Sequence, residues 1–141
     1  MFLRILLAID GSESGERATR VVAGLAKTSG AEVIVFHGRE RELIAGGHSA
    51  AIFDLESRED ASEIVDAAVR TLKDSGLSAR GVFAGVVHGR LPRAIVDTAK
   101  TEDAGLIVMG TRGLSDWGAL FLGSSTHRVL QLSDVPVMVI P

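Results

Sequence analysis

Cysteine is absent from these 141 residues, which excludes disulfides, thiolate zinc sites and a cysteine nucleophile, and fits a reducing compartment. Long hydrophobic runs are missing too. The amino-terminal stretch Met-Phe-Leu-Arg-Ile-Leu-Leu-Ala-Ile-Asp holds only about six apolar residues before an acid closes it, too few for a signal-peptide core or a membrane span. A cytoplasmic protein with no membrane partner is the expectation. Basic residues do not predominate: Lys+Arg number 15 against 18 for Asp+Glu, for a net charge of −3. The arginines are scattered, so no nucleic-acid footprint is expected. There is no Gly-x-x-x-x-Gly-Lys-Ser/Thr loop and no Gly-x-Ser-x-Gly at a strand end. None of His37, His48, His88 and His127 has a partner at metal-ligand spacing, so structural or solvent roles are expected for them.

What is present describes an ordinary soluble domain, 46% hydrophobic and 23% charged, long enough to bury one core. No internal repeat or low-complexity tract divides it, and residues 1–141 read as a single domain. Unalternated apolar runs at Ile5 to Ile9, Val33 to Phe36 and Leu106 to Met109 predict strands covered on both faces. Val82 to Val87, interrupted by Gly85, and Val135 to Ile140 predict two more strands. Pro136 cannot donate to a ladder, which sends the last strand to a sheet edge. Between these runs, Ala18, Val21, Val22, Leu25 and Ala26 fall on one helical face, with Gly30 as the stop. Ala61, Ile64, Val65, Ala68 and Leu72 mark a second helix ending near Gly76. Pro92 opens a third with Ile95, Val96 and Ala99 inward. A fourth runs from Ser124 to Leu132. Residues 38–57 predict irregular structure: Arg39-Glu40-Arg41-Glu42 reads as a solvated charge run and residues 45–50 as a flexible loop. Strand and helix alternate throughout, the pattern of a doubly wound α/β fold with helices on both faces.

The stretch richest in chemistry is residues 110–126. Gly110 is followed after two residues by Gly113, and after nine more by Gly123-Ser124. The loop leaves a strand and enters a helix, where glycines admit an anion and the helix N-terminus faces it. Trp117, Leu114, Leu120, Phe121 and Leu122 make the nine-residue segment apolar, either as a lid or as a contact surface for a partner.

With its Leu6-Leu7-Ala8-Ile9-Asp10-Gly11-Ser12 opening, its Leu106 to Gly113 segment, its Gly123-Ser124 step and its terminal Pro136-Val137-Met138-Val139, the whole chain resembles the nucleotide-binding branch of the universal stress protein family. The resemblance implies a five-stranded parallel sheet in the order 3-2-1-4-5, with ATP, and Mg2+ beside its phosphates, across the ends of the first and fourth strands. Gly110 and Gly113 would pass beneath ribose and phosphates, and the backbone N–H groups of Gly123, Ser124 and Ser125 would hold phosphate oxygens. Asp10 would contact the ribose or the cation, although an Asx-turn or a helix cap suits the same residue. Arg112 would reach a phosphate or stack on a base, or lie in solvent. Ile9 and Met109 would wall the adenine. The family commonly has a branched apolar residue where this chain has Gly38, which thins that wall. It also commonly forms homodimers through the last strand, here an apolar edge.

Three functions remain open to the sequence. The first is a regulatory ATP-binding protein with little or no turnover, favoured by the missing phosphate-loop lysine and the missing base for water. The others are a slow ATPase or adenylyl-transferring enzyme, and a nucleotide-free interaction module.

Overall fold

The computed structural model describes residues 2–46, 49–54, 57–87, 89–111 and 123–141, with backbone alone at 39–46 and 49–54. The elements follow as β1 (Arg4–Ala8), α1 (Glu13–Ser29), β2 (Glu32–Gly46), β3 (Ser49–Asp54), α2 (Arg58–Asp74), β4 (Ala79–Val87), α3 (Leu91–Thr101), β5 (Leu106–Gly110), α4 (Ser124–Leu132) and β6 (Val137–Ile140). Five strands are parallel and run β4-β2-β1-β5-β6. Counted among those five alone, this is the order 3-2-1-4-5. β6 lies at one edge, with Pro136 just before its first residue.

The apolar runs lack alternation because both faces of the sheet are covered. Ile5 and Leu7, Val33 and Val35, and Leu106 and Val108 meet Ala18, Val22 and Ala26 of α1 and Val65, Ala68 and Leu72 of α2. The intervening residues, Leu6 and Ala8, Ile34 and Phe36, Ile107 and Met109, meet Ile95, Val96 and Ala99 of α3 and Val129 of α4. Strand period two thus divides one sheet between two cores. On α1 the buried face is Gly15, Ala18, Thr19, Val22 and Ala26; Val21, assigned inward by sequence, turns to solvent. Ser12 caps this helix and Gly30 ends it in the left-handed conformation at φ 73.

Residues 38–57 depart from the irregular structure expected of them. β2 continues through Arg41 beside β4, then pairs antiparallel with β3, from Arg41↔Asp54 to Gly46↔Ser49. Hydrophobic periodicity reports burial, whereas ladder pairing needs only backbone donors and acceptors, so a charged run can extend a strand without an apolar signal. Gly47 and His48, within the expected loop, lie outside the described residues.

At the amino ends of the strands, Arg4 reaches Glu32 (3.4 Å) and Asp103 (3.7 Å), while Arg80 reaches Glu32 (3.1 Å) and Glu102. The hydrogen bond from Arg80 holds the Glu102 carboxyl below its usual value, against the opposing effect of burial. This charged end is remote from the edge where β1 and β5 finish.

Candidate functional site

The strand order reverses between β1 and β5, and a parallel sheet opens a crevice outside the carboxyl ends of strands at such a point. Asp10 follows β1 there. Its Oδ1 accepts a hydrogen bond from the Ser12 N–H at 3.0 Å, forming an Asx-turn, and Gly11 at φ 84 completes the bend. The helix cap belongs instead to Ser12, whose Oγ accepts from the Gly15 N–H at 3.3 Å. His37 of β2 is buried, with Nδ1 2.8 Å from the Ile9 carbonyl. A carbonyl only accepts, so Nδ1 carries the proton and the ring ties β2 to the residue before Asp10.

Across the crevice, Gly110 ends β5 against the first turn of α1. A Cβ there would stand 2.8 Å from both the carbonyl carbon and the Cβ of Ser14, and closer still to its Oγ. The close approach that this glycine permits is therefore that of α1. Thr126, buried in the first turn of α4, donates from Oγ1 to the Gly110 carbonyl at 3.3 Å and fastens the two elements together. Gly123 precedes α4 with φ −57 and ψ 153 and, as a glycine, brings no capping side chain of its own. The leading N–H groups of α4 therefore have no acceptor in the side chain of the cap residue itself.

Ile9, Asp10, Gly38, Met109, Gly110, Gly123 and Ser125 border one cavity at this edge. Seven of the ten residues assigned to nucleotide binding thus come together from four separate segments. Ser124 is exposed and stands apart from the lining, while Arg112 and Gly113 lie outside the described residues, as do Leu114, Trp117, Leu120, Phe121 and Leu122. Ser14, Gly15, Leu91, Ile95 and Thr126 also line the cavity and were not assigned to it. Leu91 was legible in principle: it precedes the inward Ile95 by four residues, one helical turn on the same face. The enclosed space is about 40 Å³, far below the roughly 300–1,000 Å³ usual for small-molecule pockets. A base would therefore have to enlarge it.

A larger cleft of about 460 Å³ opens between α1 and α2, bordered by Glu16, Arg20, Glu63 and Ile64, and shares Ile9 and Gly15 with the first. Neither β5 nor α4 contributes to it, and the helix start it borders, that of α1, is already capped by Ser12 and carries Glu13 and Glu16 in its first turn, which disfavours an anion. Topology, not size, makes the smaller cavity the candidate. Among the described residues, no three His, Cys, Asp or Glu side chains are grouped to hold a metal ion, and no helix is long and apolar enough to cross a membrane.

Residues 1–141 match the model of the universal stress protein family over their whole length. The chain belongs to the universal stress protein family. A universal stress protein of Thermus aquaticus is 36% identical over 140 residues, covering 99% of each chain. Among solved structures, a universal stress protein from Archaeoglobus fulgidus superposes with a TM-score of 0.78 at 30% identity, covering all of both chains. One from the same organism in complex with dAMP gives 0.72 at 27% identity, covering 99% of this chain and 98% of that one. The five parallel strands in the order 3-2-1-4-5 match those solved relatives, and β3 pairs antiparallel with the end of β2 beside them.

Proposed function

We propose that this universal stress protein binds an adenine nucleotide at the ends of β1 and β5, with ATP and accompanying Mg2+ as the ligand, and acts as a regulatory module with little or no turnover. The observation that carries this reading is the convergence of Ile9, Asp10, Met109, Gly110, Gly123 and Ser125 on one cavity at the start of α4, where the cap residue is glycine. A phosphate group at that helix start would meet backbone donors and the positive end of the dipole. Apolar Ile9 and Met109 suit a base, and dAMP in the Archaeoglobus fulgidus relative is chemically of this class. Mg2+ would enter with the phosphates and face Asp10, since like charges would otherwise meet. Limited turnover rests on the missing phosphate-loop lysine, because backbone donors hold phosphate in the ground state as firmly as in the transition state.

Calorimetric titration of ATP into the wild type and Gly123→Val tests the reading. The backbone at residue 123 admits valine, so the variant should fold and lose the ligand. Equal affinity in both proteins removes the proposed phosphate contact.

A homodimer through β6 belongs to the same proposal. The Pro136 and Ile140 carbonyls accept from the Ile107 and Thr111 N–H groups, at 3.0 and 2.9 Å. Backbone groups alternate sides along a strand, so Val137 and Val139 turn theirs to the open edge, where a second copy can pair.

A further inference from the structure

Gly38 lies on β2 two residues beyond Phe36, and so shares its face of the sheet, the one covered by α3 and α4. No side chain leaves the strand at 38, but the space is filled. A Cβ built there would stand 2.5 Å from Leu91 Cδ1 and 3.2 Å from Val86 Cγ2. Leu91 is the first residue of α3, half-buried, and packs against the same core as Phe36 and Ile95. Both Gly38 and Leu91 border the candidate cavity, with Ile95 one turn further along the helix.

We infer that Leu91 is a specificity-determining residue of this site: it supplies from α3 the apolar base wall that residue 38 does not supply from β2. The inference rests on the nucleotide reading above and deepens it. Exchanging a side chain on the strand for one on the helix keeps the wall and moves its anchor. Gly38 and Leu91 are then a matched pair. A branched residue at 38 collides with Leu91, and alanine at 91 leaves only Val86 beside the backbone of 38. An apolar wall grips the flat face of a purine and contributes nothing to sugar or phosphate, so its loss separates ligands with a base from ligands without one.

The test compares AMP with ribose 5-phosphate by calorimetry on the wild type, Leu91→Ala, Gly38→Val and the double variant. Leu91→Ala should weaken AMP by about tenfold or more, the usual effect of removing apolar pocket contacts, and leave ribose 5-phosphate unchanged. Gly38→Val alone should lower thermal stability through its collision with Leu91. The double variant should recover AMP affinity and most of the stability, because the valine no longer meets Leu91 and replaces the wall, while its 3.2 Å approach to Val86 remains. Unchanged or tighter AMP binding by Leu91→Ala, in a protein whose wild type binds AMP, overturns the inference and leaves the nucleotide reading intact. Parallel losses of AMP and ribose 5-phosphate also overturn it, since they assign Leu91 to the fold of the site rather than to the base. A wild type that binds neither ligand overturns both.

Discussion

Gly110→Ala separates packing from ligand contact at the end of β5. The φ of residue 110 is not positive, so alanine meets no backbone strain there, and its effect comes from the added methyl group. That group would lie 2.8 Å from the carbonyl carbon and Cβ of Ser14. Ser14 is fully buried in the first turn of α1, and its backbone cannot swing aside as a flexible side chain would. Overpacking of this kind costs about 1–3 kcal/mol. Loss of unfolded-state freedom on replacing glycine offsets roughly 0.4–1 kcal/mol. The net loss should be about 1–2 kcal/mol, and a chain of this size should melt some 3–8 °C lower. Urea unfolding without nucleotide measures it, as a lower midpoint at constant slope. Adding Ser14→Gly should restore part of the loss, because the backbone contact remains. A ligand-free stability within about 0.5 kcal/mol of wild type, the range of neutral surface changes, would refute the packing argument. If nucleotide affinity fell at the same time, Gly110 would be reserved for the ligand instead.

Two further tests address the sheet edge and the charged end. Val139→Pro removes an outward N–H from β6 while the β5 ladder through Pro136 and Ile140 stays, so sedimentation should show a folded monomer where the wild type is a dimer. A dimeric variant would place the interface elsewhere. For Glu102, whose folded value lies below the ordinary 4.5, ion pairing with Arg80 stabilises the fold above that value and is lost as pH falls through the folded one. The stability gap between wild type and Arg80→Met should therefore be largest near neutrality, at most about 1 kcal/mol given the exposure of Arg80, and should close in acid. A gap that persists unchanged to strongly acidic pH contradicts this.

The parallel strands and all four helices were legible because helices covering both sheet faces write burial into the sequence as apolar runs and helical stripes. Gly30 marked the end of α1, whereas the cap at its start falls on Ser12 and not on Asp10. The β2–β3 hairpin was not legible. It is entered through the charged run Arg39-Glu40-Arg41-Glu42, and backbone pairing can carry a strand through such a run without an apolar signal. Within the site, Asp10, Gly110 and Gly123 were visible because strand ends and glycines punctuate a chain. The pairing of Leu91 with Gly38, and of Ser14 with Gly110, was hidden for the opposite reason. Each side chain acts through a neighbour far away in sequence, and only the packed fold shows that those glycines make room for a leucine and a serine.

The division of β1 between two cores makes its length a functional quantity. Ile5 and Leu7 serve one core, Leu6 and Ala8 the other, and the strand ends one residue before Ile9 enters the cavity. Inserting a single residue within β1 would exchange the two sets of side chains and carry Asp10 off the edge of the sheet. A deletion would do the same from the other direction. Substitutions along β1 can be conservative, but its count of residues has no conservative change, and the distance from Arg4 to Asp10 is as much a part of the site as Asp10 itself.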